Sequence, residues 1–150
     1  MALRLAGALS AFVALLHLVI IFLGAPAYRY FGAGERMARL AEQGSFTPAA
    51  ITLGLTLVFA VFSGYAFSGA GDLRRVPLLR TGLIGIGAIY TLRGLLLGPQ
   101  LFWFFSGYRD AVPARQLLFS GVALLTGLAY LVGTRDAWAQ LGGREVRIDG

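Results

Sequence analysis

The sequence predicts an all-α membrane protein, a four-transmembrane-helix bundle with a short amphipathic interfacial helix in the loop between the first and second spans. Three observations carry that expectation. Hydrophobic residues make up 57% of the 150 and charged residues only 13%, with a mean hydropathy of +0.73, outside the usual range of a soluble domain. Four apolar runs, at about 4–24, 48–68, 77–98 and 113–133, are each long enough to cross a hydrocarbon core of about 30 Å. Each run also carries one stripe of small or polar residues on a Leu, Val and Phe surface, as expected when small residues face a bundle and large apolar ones face lipid. A single transmembrane domain over 1–134 and a short polar tail over 135–150 follow.

The first run follows Arg4 and stays apolar to Gly24. Arg4 and Ala25-Pro26-Ala27 give it the outline of a signal peptide, but the run exceeds a typical h-region and contains His17, so a retained span is expected. In the loop that follows, Met37, Leu40 and Ala41 fall at i, i+3 and i+4 within GERMARLAEQG, which predicts the interfacial helix. Thr47 before Pro48 reads as an N-cap with proline at the first helical position, opening the second span. The glycine-rich SGAGD closes it. The third span is predicted from Pro77 to Gly98-Pro99. The segment QLFWFFSGYRDAV, with Trp103 and Tyr108, suits an aromatic belt at headgroup level. Pro113 opens the fourth span, which should end near Gly133.

All 13 basic residues are arginines, and there is no cysteine, which excludes disulfides, thiolate nucleophiles and thiol redox chemistry. The net charge of +6 does not point to nucleic acid, because the arginines cluster at the ends of apolar runs and act as topology signals. Arg4, Arg74, Arg75, Arg80, Arg135, Arg144 and Arg147 fall on one side, and Arg29, Arg36, Arg39, Arg109 and Arg115 on the other. Seven against five predicts that both termini are cytoplasmic.

Arg93 stands apart, well inside the third apolar run, where a guanidinium costs about 2.5–3.5 kcal/mol even on insertion scales. His17 lies 13 residues beyond Arg4 and Arg93 lies 13 beyond Arg80, so both are expected about 20 Å up from the inner surface. Counting inward from Pro48 and Pro113 places Thr52, Thr56, Gln116 and Ser120 at the same height, and Tyr90 shares a stripe with Arg93. The expectation is a polar pocket, open toward the outer leaflet, lined by Arg93, His17, Tyr90, Thr52, Thr56, Gln116 and Ser120. No acidic residue lies within any span, so Glu35, Glu42 and Asp110 in the outer loops are the candidate counter-ions. Glu35 is the first choice, if its helix folds over the mouth of the bundle.

The runs Phe31-Gly-Ala-Gly-Glu-Arg-Met-Ala, Tyr65-Ala-Phe-Ser-Gly-Ala-Gly and Pro77-Leu-Leu-Arg resemble those of a group of small, uncharacterised bacterial inner-membrane proteins with four transmembrane helices. That resemblance implies the fold and the membrane, and no activity. Glu35-Arg36-x-x-Arg39 is similar to the E-R-x-x-R of the MAPEG glutathione-dependent membrane enzymes, but the histidine and asparagine that continue that motif are Ala41 and Gln43 here, so glutathione chemistry is not carried over.

The functional expectation is binding or transport of a lipophilic ligand, anionic or quinone-like, because arginine offers bidentate donors to carboxylate or phosphate. The alternatives are an accessory or oligomerising subunit of a membrane complex, using Gly82-x-x-Gly85-x-Gly87 for close helix approach, and a membrane-embedded enzyme with His17 as acid or base and Arg93 on an oxyanion. A single polar layer does not make a channel. One histidine without an intramembrane carboxylate cannot build a zinc or iron site, and no cofactor is expected.

Overall fold

The computed structural model describes residues 1–107 and 112–142. Tyr108, Arg109, Asp110, Arg144 and Arg147 lie outside the described residues. The described residues are helical: α1 (Ala2–Leu23), α2 (Ala25–Phe31), α3 (Glu35–Glu42), α4 (Thr47–Gly69), α5 (Leu79–Leu95), α6 (Leu97–Phe105), α7 (Ala114–Asp136) and α8 (Trp138–Gly142). Among the described residues four stretches are long and apolar enough to cross a membrane: α1, α4, α5 with α6, and α7. Residues cluster into two compact units, Met1–Gly7 with Gly64–Gly150, and Ala8–Ser63.

In the first unit α5 packs along α7, and three glycines set how closely. A Cβ on Gly94 would lie 2.5 Å from the backbone N and Cα of Leu124, and one on Gly87 would lie 2.8 Å from Leu131. A Cβ on Gly127 would strike the hydroxyl of Thr91. Contacts that rise along α5 as they fall along α7 make the two helices antiparallel. Of the Gly82-x-x-Gly85-x-Gly87 set, Gly87 receives α7, Gly82 faces the Tyr65 ring, and Gly85 has nothing within 4 Å.

Several boundaries move from their sequence-predicted positions, each for a local reason. The helix of the predicted third span, α5, starts at Leu79, because Leu78 takes a left-handed conformation (φ 52°) and the Pro77 carbonyl accepts a 3.3 Å hydrogen bond from the Tyr65 hydroxyl. It breaks at Leu96 and resumes as α6, since Pro99 has no N–H for the Leu95 carbonyl. The aromatic segment read as a belt loop is therefore helical as far as Phe105. α7 runs past Gly133 to Asp136, and that glycine serves packing instead of termination, because a Cβ there would lie 2.7 Å from Leu3. Part of the predicted tail forms α8. Arg80 donates to the Trp138 carbonyl at 2.7 Å and stacks over the Trp138 ring at 4.5 Å, and Arg75 donates to the Gln140 carbonyl.

At this same end of the unit, Arg4 grips Asp72 through three N–H···O contacts of 2.7–3.2 Å. Ser68 takes the Val76 N–H at 3.1 Å and gives its own proton to the Arg74 carbonyl at 2.8 Å, folding the connection back onto the end of α4.

The second unit holds two helices where the sequence predicted one between the spans. α2 ends on Gly32, whose left-handed conformation (φ 82°) lets its N–H reach the Tyr28 carbonyl. It packs on α3 through a core of Ile20, Ala25, Ala27, Tyr28 and Ala38, with Leu16, Phe31, Met37 and Ala41 around it. Of the predicted apolar positions Met37, Leu40 and Ala41, Met37 and Ala41 border this core and Leu40 is half-buried; the residue α3 buries completely is Ala38, while its charged residues stay exposed.

Candidate functional site

Among the predicted site residues, Arg93, Tyr90, Gln116 and Ser120 belong to the first unit, and His17, Thr52, Thr56 and Glu35 to the second. In the first unit the polar residues meet where α5 crosses α7. Arg93 Nη1 donates to Ser120 Oγ at 2.8 Å, and Ser120 is completely buried. The Arg93 side chain is exposed on the protein surface, flanked by exposed Leu92, Leu95 and Leu96. Among the described residues no carboxylate comes within ion-pair distance of it. A guanidinium has five donors, and a hydroxyl answers one without cancelling its charge. One turn earlier, Tyr90 stacks on Tyr130 with ring centroids 5.9 Å apart and planes inclined by 15°, both rings buried. Gln116, one turn before Ser120 on α7, is half-buried.

The second unit gives its hydroxyls local partners. Thr56 donates to the Thr52 carbonyl at 3.0 Å, and Thr52 donates to the Pro48 carbonyl at 2.8 Å. The Tyr28 hydroxyl lies 3.4 Å from Thr52 Oγ1; since the Thr52 proton is taken by a carbonyl, tyrosine is the donor of that contact. These bonds tie threonines back to their own helix, the usual arrangement in membrane helices. His17 is half-buried, with its ring 4.9 Å from that of Phe59 and Nδ1 2.8 Å from the Val13 carbonyl. A carbonyl only accepts, so Nδ1 carries a proton and neutral His17 presents Nε2 as an acceptor.

Glu35 is bonded to Arg29 and Arg39. Arg29 holds two carboxylates, Glu35 at 2.9 and 3.0 Å and Glu42 at 2.6 and 3.1 Å, while Arg39 Nε reaches Glu35 at 3.2 Å. The two glutamates are seven residues apart, two turns of α3, and so share one face. Hydrogen bonds from Arg29 and then Arg39 bring the Glu35 carboxyl down to about 2, and Arg29 likewise lowers that of Glu42. Sequence reading missed this clamp. The signal was the Glu35/Glu42 spacing, with Arg29 placed opposite by the α2 turn.

Clefts open at the far end of the first unit from Arg93. One of about 360 Å³ is lined by Ser68, Gly69, Gly71, Arg75 and Gln140, among others, and one of about 260 Å³ by Met1, Arg4, Gly133, Asp136 and Gln140, among others. No family model, no curated protein and no solved structure matches this chain.

Proposed function

We propose that this chain is a multi-pass membrane protein that binds, or moves across its bilayer, a lipophilic anion whose carboxylate or phosphate is received by Arg93. One observation supports this above the others: the Arg93 guanidinium is anchored to buried Ser120 at 2.8 Å, yet has no carboxylate partner among the described residues. An uncompensated charge at membrane depth is costly, and an incoming anion relieves that cost through charge-assisted bonds. The exposed leucines beside it and the exposed Phe102, Trp103 and Phe105 of α6 favour an amphiphile, with an acidic head and an apolar or quinone-like body. Tyr90 and Gln116 flank that site.

In this reading α3 lies in the outer interface with Arg36 and the Arg29 clamp facing water, both termini are cytoplasmic, and the membrane is a bacterial inner membrane. Thr52 and Thr56 hold their own helix, Glu35 holds the α2–α3 hairpin, and the contribution of His17 to a ligand would come through Nε2. The accessory-subunit reading draws less support, since Gly82 and Gly87 are occupied within the chain.

The test is native mass spectrometry with lipid analysis on gently extracted wild type, Arg93→Leu and Ser120→Ala, each checked for intact folding. A specific anionic or quinone-like species present in wild type and lost from Arg93→Leu supports the proposal. Identical bulk lipid in all three proteins refutes it.

A further inference from the structure

A second surface feature lies at the other end of the α5–α7 pair. Ile84, Leu131, Thr134, Arg135 and Trp138 line a groove of about 420 Å³. Its walls are apolar, because the Thr134 hydroxyl is buried and donates to the Tyr130 carbonyl at 2.7 Å. Arg80 stands one turn before Ile84 on α5, and Arg135 one turn after Leu131 on α7. With the helices antiparallel, Arg80 and Arg135 sit about 6 Å along their helix axes from Ile84 and Leu131, displaced toward the same end.

Neither charge is cancelled among the described residues. Arg135 is exposed and has no carboxylate within ion-pair distance. Arg80 makes only neutral contacts, with the Trp138 carbonyl at 2.7 Å and the Trp138 ring at 4.5 Å, and its Nε is buried without a partner. Trp138 itself is 47% exposed at the mouth of the groove.

We propose that this groove is a binding site for an anionic phospholipid, with an acyl chain along Ile84 and Leu131 and the phosphate at Arg135 and Arg80 beside Trp138. Guanidinium forks suit phosphate oxygens, and tryptophan favours the level where headgroup meets hydrocarbon. A free phosphate would meet the arginines but leave the apolar groove empty. Arg93 lies 13 residues from Arg80, about 20 Å along the helix axis, so this site is separate from the one proposed above.

The experiment titrates the purified protein, in a non-ionic detergent, with phosphatidylglycerol or phosphatidylcholine of the same acyl chains and counts bound lipid by native mass spectrometry. Phosphatidylglycerol should bind about tenfold more tightly than phosphatidylcholine, and Arg135→Gln should remove most of that difference. Arg135 has no carboxylate partner to lose among the described residues, so this variant should keep the wild-type fold. Ile84→Trp, which fills the groove while leaving both arginines, should weaken phosphatidylglycerol about tenfold or more. Arg93→Leu should leave the Arg135-dependent lipid in place. Equal binding of the two lipids, or phosphatidylglycerol affinity unchanged in Arg135→Gln, overturns the proposal. So does competition by soluble glycerol phosphate together with an unaffected Ile84→Trp, which would make this a free-phosphate site. Loss of the lipid from folded Arg93→Leu would assign it to the other site instead.

Discussion

Replacing Gly94 by alanine tests whether the α5–α7 contact holds Arg93 in position. The added Cβ would sit 2.5 Å from Leu124 N and Cα, about 1 Å short of ordinary carbon contact. Those are backbone atoms, which cannot rotate aside, so the helices must separate or tilt. Overpacking of this kind costs about 1–3 kcal/mol. Alanine also gains about 0.8–1.0 kcal/mol of helix propensity over glycine, which offsets part of the loss. Gly85→Ala is the matched control, because it has the same propensity gain and nothing within 4 Å. The difference between the two variants isolates the contact, and Gly94→Ala should be less stable than Gly85→Ala by about 1–3 kcal/mol. Ser120 lies one turn from Leu124 on α7, so separation by about 1 Å would also stretch the 2.8 Å Arg93–Ser120 bond beyond hydrogen-bonding range. Reversible unfolding in mixed micelles, run on both variants and wild type, gives the stabilities. If Gly94→Ala proves as stable as Gly85→Ala, the close approach of α5 and α7 does not exist as described, and the anchoring of Arg93 falls with it.

Two further outcomes follow from the second unit. Glu35 titrates near 2 when folded, below its ordinary value near 4.5, so its bonds to Arg29 and Arg39 stabilise the α2–α3 hairpin above the unfolded value and lose that effect as pH falls from about 4.5 toward 2. Protection of the α2 and α3 amides, taken relative to the intrinsic exchange rate at each pH, should fall as pH drops across that window, and Arg29→Gln should flatten the dependence; a wild-type protection profile without a step there contradicts the clamp. Neutral His17 should show nitrogen NMR shifts of a protonated Nδ1 and an unprotonated Nε2, because Nδ1 faces the Val13 carbonyl at 2.8 Å. The opposite tautomer would mean that bond is absent in the membrane.

How much was legible in sequence follows the range of the interactions involved. Four apolar stretches could be read because burial in hydrocarbon is set by composition and length, which are local properties. The amphipathic face of α3 was legible in part: Met37 and Ala41 repeat at helical period and border the core, while Ala38, which is buried completely, was not among the predicted positions. Ends were less so. A glycine at 133 reads as a stop, and only the arrival of Leu3, 130 positions earlier in the chain, shows why the helix continues through it. Leu78 gave no sign of its left-handed backbone.

The polar residues divide in the same way. Sequence alone determined that Arg93 lies in an apolar run and that no acidic residue falls within the predicted spans, because both facts are read directly from the residues of those runs. Tertiary structure decided that Ser120 is its hydroxyl partner, that Arg29 clamps Glu35 and Glu42, and that Arg135 lines a groove with Trp138, the residue that Arg80 contacts. A guanidinium bonds to whichever acceptor lies within about 3 Å. Residue spacing along one helix cannot supply the position of an acceptor on another; only the packing of α5 on α7, and of α2 on α3, fixes it.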